Sequence, residues 1–200
     1  MRSLPLTVLT AALALGTQAF AQDKATGLES ATFSSFERGD GILSLTLGMT
    51  HALGYYNPGT QAFSEGNADP GFAFALSYAG FLNESWALAG DLAGGYVGTA
   101  NEDRLFVAPL ALRMIRAFPI GSFVIAPSAG LGLAISALGS YKHVDALFKA
   151  GSSFLWKASS DMSYGLNLYG NIIPQIMSAY PANTRVGFFM EATLSVAYHL

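Results

Sequence analysis

The last sixteen residues, Arg185 to Leu200, read RVGFFMEATLSVAYHL. Taken alternately they separate into Phe188, Met190, Ala192, Leu194, Val196, Tyr198 and Leu200 on one side and Gly187, Phe189, Glu191, Thr193, Ser195, Ala197 and His199 on the other. A period of two is that of a β-strand, whose successive side chains point to opposite faces. One face is oily, the other mostly small, polar or ionisable. The run exceeds the ~5–6 residues of a common soluble strand and the ~9–11 a tilted strand needs to cross a bilayer.

The same alternation recurs. Gly41–Leu53 sets Leu43, Leu45, Leu47 and Met49 against Ser44, Thr46, Gly48 and Thr50, and Gly71–Leu82 sets Phe72, Phe74, Leu76 and Tyr78 against alanines and Ser77. Asn83-Glu84 turns into Ser85–Val97, where Trp86, Leu88, Leu92 and Tyr96 oppose Ala87, Ala89, Asp91, Ala93 and Gly95. Further strands are expected at Arg104–Ala117, Gly121–Leu138, Asp145–Lys157 and Asp161–Ile172, with Arg185–Leu200 the eighth. Pro109 tells against the fourth, since an interior strand proline removes a ladder donor. Ala117–Tyr141 is uncharged for long enough to be a spanning helix, but Pro119, Pro127 and glycines 121, 130, 132 and 139 oppose one. Longer connections are expected at 54–70, 98–103, 138–144 and 173–184, tight ones near 83, 119 and 159.

Composition agrees with an apolar solvent. The 200 residues are 52% hydrophobic and only 12% charged, with 22 glycines, too oily for disorder and unusual for a soluble domain. The net charge of −3 comes with no basic patch, so no nucleic-acid partner is expected. Met1–Ala21 carries Arg2, an apolar core from Leu4 to Leu15 and the small-residue site Ala19-Phe20-Ala21. It reads as a signal peptide cleaved before Gln22, its core being short of the ~20 residues of a membrane anchor. Removing Arg2 leaves nine bases against 13 acids, a charge of −4. The absence of cysteine excludes a lipid-acceptor cysteine, disulfides and thiolate chemistry. Residues 22–40 are expected to be a polar periplasmic lead-in with a short strand around Phe33–Phe36, and residues 41–200 the membrane domain.

The expected fold is therefore all-β, a transmembrane eight-stranded antiparallel up-and-down β-barrel, because in lipid every backbone group must be paired and a closed sheet has no edge. A soluble barrel would turn the Phe, Leu and Trp positions inward, but an eight-stranded interior is only just wide enough for side chains to fill. The small residues fit inside better. Trp86, Phe123, Phe154, Trp156, Tyr164 and Tyr198 fall near the turn end and Phe72, Tyr96, Phe106, Phe148 and Phe188 near the loop end, two aromatic girdles about an aliphatic band.

Leader, eight-strand meander and loop asymmetry over Gly41–Leu200 resemble the small eight-stranded outer-membrane barrels of the OmpA-barrel, OmpX and OmpW types. The resemblance is architectural. It implies an integral outer-membrane position with loops facing the cell exterior, contact with membrane lipids and lipopolysaccharide-like glycolipids, and insertion by the barrel-assembly machinery. Family members usually end in an aromatic residue; here Tyr198 is antepenultimate and Leu200 terminal, and these two residues are taken as the assembly signal.

Candidate lumen residues are Asp91, Arg113, Lys149, Asn167 and Glu191. Asp91 and Arg113, on neighbouring strands about six residues from the turn end, are placed to pair, since a lone buried charge is costly. The pair is either structural or, as the resemblance to OmpA-type barrels implies, a polar gate. Glu191, Ser195 and His199 invite a hydrolase reading, and some similar barrels deacylate lipid A, but residues four apart on a strand lie about 13 Å apart, beyond hydrogen-bond reach. No enzyme activity, cofactor or metal site is expected, and His51, His143 and His199 lie on different strand ends or loops. Phe81, Tyr169 and Phe189 are the few large interior residues among Ala, Gly and Ser, so either the strands close the space or a narrow cavity persists. The first functional expectation is passive passage or binding of a small hydrophobic or amphipathic solute, as the OmpW resemblance also implies; the second is a structural or surface-interaction barrel with a filled lumen. Tyr55, Tyr56, Phe63, Ile176, Met177 and Tyr180 on the loops would gate the cavity, bind an outside partner or simply pack.

Overall fold

Among the described residues, alternation along the chain becomes ten strands in one sheet: β1 (Gly41–Asn57), β2 (Ala62–Glu65), β3 (Ala68–Phe81), β4 (Trp86–Thr99), β5 (Arg104–Arg116), β6 (Phe118–Ile120), β7 (Phe123–Leu138), β8 (Tyr141–Lys157), β9 (Met162–Gln175) and β10 (Arg185–His199). This computed structural model describes residues 35–66, 68–99, 104–139, 141–176 and 184–200. The expected signal peptide, Phe33 and most of the expected lead-in lie outside those residues, as do Met177 and Tyr180.

Eight of the strands are long staves, each paired antiparallel with its sequence neighbour, and β10 returns to pair β1 from Ile42↔His199 to Tyr56↔Val186. The sheet is closed. No helix among the described residues is long and apolar enough to cross a membrane. The lumen holds the small face: Ala87, Ala134 and Ala197 are each 0% exposed, whereas Leu45, Leu112 and Leu194 on the outer wall are 54, 64 and 65% exposed. Such a continuous apolar exterior far exceeds the few hundred Å² a soluble monomer shows, and lipid is the solvent that suits it.

The outer wall also has the height of a bilayer. Trp86 and Tyr96 sit ten residues apart on β4, about 33 Å along a strand and roughly 25 Å along the membrane normal at a tilt of about 40°. Ladder partners carry the two levels round the barrel. At the turn end Phe123 meets Trp156 and Trp156 meets Tyr164; at the loop end Phe72 meets Tyr96 and Tyr96 meets Phe106.

Several connections depart from the sequence reading. The stretch expected as a polar loop at 54–70 is strand for most of its length: β1 runs on to Asn57 and pairs β2 in a hairpin, with Gly54 at φ 153° where the β1–β10 register shifts. The connection expected at 138–144 is a two-residue turn, Leu138 pairing Tyr141 across Gly139 at φ 56°. Beyond the membrane a hairpin arm needs no oily face, so its polar alternation resembles a loop. β9 likewise extends past Ile172 to Gln175. Pro109 is tolerated in β5: the β4–β5 ladder has no pair at Ala93 and Gly94, yet Leu92↔Leu110 and Gly95↔Val107 keep one register on either side.

Residues 35–40 are not strand. They fold into the turn end, where Phe36 is buried and stacks on Phe81 at a centroid distance of 3.9 Å and 11°. Gly39 N donates to Phe81 O and Phe81 N to Asp40 O, while Gly39 takes φ 102°, a backbone region that suits glycine.

Candidate functional site in the lumen

Inward-facing residues form three layers. An apolar cluster at the turn end includes Phe36, Ile42, Phe81, Val124 and Leu155; a second, toward the loops, includes Val107, Leu147 and Ile173 with Leu105 and Phe189 against it. Between them lies a charged belt.

The belt is built on glycine. Arg113, Gly130, Lys149 and Asn171 share one ladder row across β5, β7, β8 and β9, and Gly151, Tyr169 and Glu191 share another. A Cβ added at Gly130 would come 2.6 Å from Arg113 Cγ, and one at Gly151 would come 2.5 Å from Tyr169 Cδ1. The glycines thus make room for the long side chains beside them, and the interior that looks empty in sequence is occupied.

Arg113 donates Nε to Asp91 Oδ2 at 2.6 Å and Nη2 to Asp91 Oδ1 at 2.8 Å, a two-point fork. Its Nη1 donates to Ser128 Oγ at 2.7 Å and Tyr169 OH at 2.9 Å. Tyr169 OH also lies 2.7 Å from Ser153 Oγ, and its ring centroid is 4.8 Å from both Arg113 Cζ and Lys149 Nζ. Lys149 Nζ sits 3.1 Å from Glu191 Oε2 and 3.7 Å from Asp91 Oδ2. Two carboxylates therefore face two cations, all nearly or wholly buried, so the belt is neutral and its charges are paired as burial requires. Asn167 lies outside this circuit and donates to Thr193 Oγ1 at 3.2 Å.

Below the belt, toward Phe36, a cavity of ≈ 80 Å³ is lined by apolar side chains and by polar ones, among them Ser44, Ser77, Asp91, Lys149, Asn167 and Ser195; above it a void of ≈ 20 Å³ touches Glu191, Asn171 and Phe189. At roughly 10–15 Å³ per water-sized sphere the larger holds a handful of waters. Ser195 Oγ, buried with no hydrogen-bond partner among the described residues, borders it.

Sequence reasoning missed Ser128, Ser153 and the pairing role of Tyr169, and also Asp145, which is buried and joined to His143 Nδ1 at 2.7 Å. The Asp145 and His143 positions on the inward face of an alternating arm were a usable signal. Glu191, Ser195 and His199 stay on separate levels of β10. His199 Nε2 instead meets Ser163 Oγ at 2.7 Å, the spacing of a nucleophile and its base. Ser163 is 0% exposed, so no substrate reaches its oxygen. Among the described residues no cluster of three or more His, Cys, Asp or Glu could hold a metal.

On the outer wall Phe72, Trp86, Tyr96, Phe123, Phe148, Trp156 and Tyr198 are exposed, while Phe106, Tyr164 and Phe188 are half-buried. Tyr96 and Phe106 pack at 4.8 Å, Trp156 and Tyr164 at 6.4 Å, and Phe188 lies 6.1 Å from Phe63 of β2. Leu200 is exposed at the turn end, its backbone bonded to Gly41.

One protein-family model, which carries no functional description, matches residues 21–198. No curated protein matches the chain. Among solved structures the chain is similar to Neisserial surface protein A, with a TM-score of 0.60 and 11% identity over 80% of this chain and 96% of that one. The N-terminal barrel domain of Pseudomonas aeruginosa OprF gives 0.49 at 14% identity over 82% and 98%. Ail, the attachment invasion locus protein of Yersinia pestis, gives 0.48 at 12% over 82% and 100%. At such identities the likeness concerns the fold alone.

Proposed function

We propose, of a chain that has the fold of the small eight-stranded outer-membrane β-barrels, that it works as a closed barrel set in the outer membrane, loops outward, acting through its surfaces and not through its lumen. The observation that carries this reading is the lumen's double closure: the Arg113–Asp91 and Lys149–Glu191 belt across the middle and the Phe36–Phe81 stack at the turn end. The space between them is ≈ 80 Å³, well below the ~300–1,000 Å³ of a small-molecule pocket. Passage of a small hydrophobic or amphipathic solute, the alternative reading, would need both closures to move. The loop end offers surface instead: Phe63 and Ile176 are 58 and 69% exposed, and Arg185 stands over the Tyr55 ring at 5.3 Å. These features suit contact with another molecule outside the cell, as a structural or adhesin-like barrel makes.

Planar-bilayer recording of the refolded full chain tests the reading. A silent membrane is expected, and stable conductance steps in the wild type would favour passage. Pairing Arg113→Ala with Phe36→Ala opens the turn end and the Arg113–Asp91 half of the belt, leaving Lys149–Glu191 in place, and is expected to give more conductance than either single variant.

A further inference from the structure

Arg116 ends β5 on the outer wall at the turn end, directly opposite Trp86 in the β4–β5 ladder. Strand alternation puts it on the face of Leu110, Leu112 and Met114, and it is exposed. Its guanidinium lies 5.4 Å from the Trp86 ring centroid and 4.9 Å from that of Phe118. Two rings thus hold the cation by their π faces. The N–H edge is left over: the Arg116 side chain makes no ion pair or hydrogen bond with a described residue.

That arrangement needs an anion. A guanidinium keeps its charge at any ordinary pH, and an uncompensated cation on a lipid-facing wall is expensive. Trp86 and Phe118 lie in the turn-end aromatic belt, the level at which headgroups meet acyl chains. The anion within reach at that depth is a lipid phosphate, whose oxygens match the planar fork of arginine. We propose that Arg116, clasped between Trp86 and Phe118, binds the phosphate of one glycerophospholipid at the inner rim of the barrel. The site rests on the reading of the chain as a membrane barrel with its turns on the inner side. Lys142, exposed on the wall at the other end, is the internal control.

The test is native mass spectrometry of the full chain folded in detergent and titrated with dioleoylphosphatidylglycerol or with dioleoylglycerol, which has the same chains and no phosphate. Wild type is expected to retain one phospholipid and no dioleoylglycerol. Arg116→Gln should weaken the first phospholipid by about tenfold, Arg116→Lys by less, and Lys142→Gln not at all. Equal retention by wild type and Arg116→Gln, or equal retention of dioleoylglycerol, would overturn the site. Heat-dependent gel mobility separates the two levels of failure. Variants that keep the shift while binding is unchanged sink Arg116 alone, whereas a wild type with no shift sinks the membrane-barrel reading beneath it.

Discussion

Arg113 uses four N–H contacts on three residues, Asp91, Ser128 and Tyr169, from three other staves. Removing it leaves Asp91 buried, with the more distant Lys149 Nζ, at 3.7 Å, as the remaining cation beside it among the described residues. Arg113→Ala and Asp91→Ala are each expected to destabilise the barrel by about 3–5 kcal/mol, the scale for breaking a buried pair. The double variant should cost less than the sum, because the two residues are coupled. Urea unfolding in detergent measures all three, and unchanged midpoints for both single variants would contradict the role given to the belt. The Asp91–Arg113 proximity could be read in sequence because both side chains lie inward on adjacent strands near one turn. The contribution of Tyr169 could not, because β9 lies across the lumen from β5 and only closure of the barrel brings them together.

At the level of elements, the spacing of staves is set where side chains are missing. A Cβ at Gly132 would fall on the backbone carbonyl of Leu110 in the adjoining β5, and neither partner can yield without moving a strand. Gly132→Ala is expected to destabilise by about 1–3 kcal/mol, whereas Gly90→Ala, whose Cβ would meet only Leu112 Cδ2 at 3.8 Å, should stay within about 0.5 kcal/mol. Equal urea midpoints would remove this account of the inward glycines. Residues 35–40 behave as a stopper, and the cysteine-free sequence allows a direct check. Ser195→Cys places one thiol on the cavity behind Phe36. Its reaction with a small water-soluble thiol reagent should be several-fold faster in a Phe36→Ala background; equal rates would mean that Phe36 does not close that end. Nothing in the polar composition of the lead-in announced this role, since one buried aromatic in an aperiodic stretch carries no pattern. The arms at β1–β2 and the start of β8 were obscure for a related reason: outside lipid, a strand need not advertise itself with an oily face.

For the whole molecule, the fold was legible from repetition. Eight alternating segments, each long enough to span, leave little but a closed meander, and the ladder from β10 to β1 closes it. What one sequence did not convey was how far the lumen is filled, because small inward residues are equally consistent with a cavity and with room for a neighbour's long side chain. The central claim, an inverted barrel with its oily and aromatic side in lipid, is reported by the chain's two tryptophans. Trp86 and Trp156 both stand on the outer wall at the turn end. Fluorescence of the protein refolded into vesicles of brominated phosphatidylcholine reads their depth. Bromine near the carbonyl end of the acyl chains should quench strongly and bromine near the terminal methyl weakly; no quenching at any bromine position, or strongest quenching from the bilayer centre, would contradict the account.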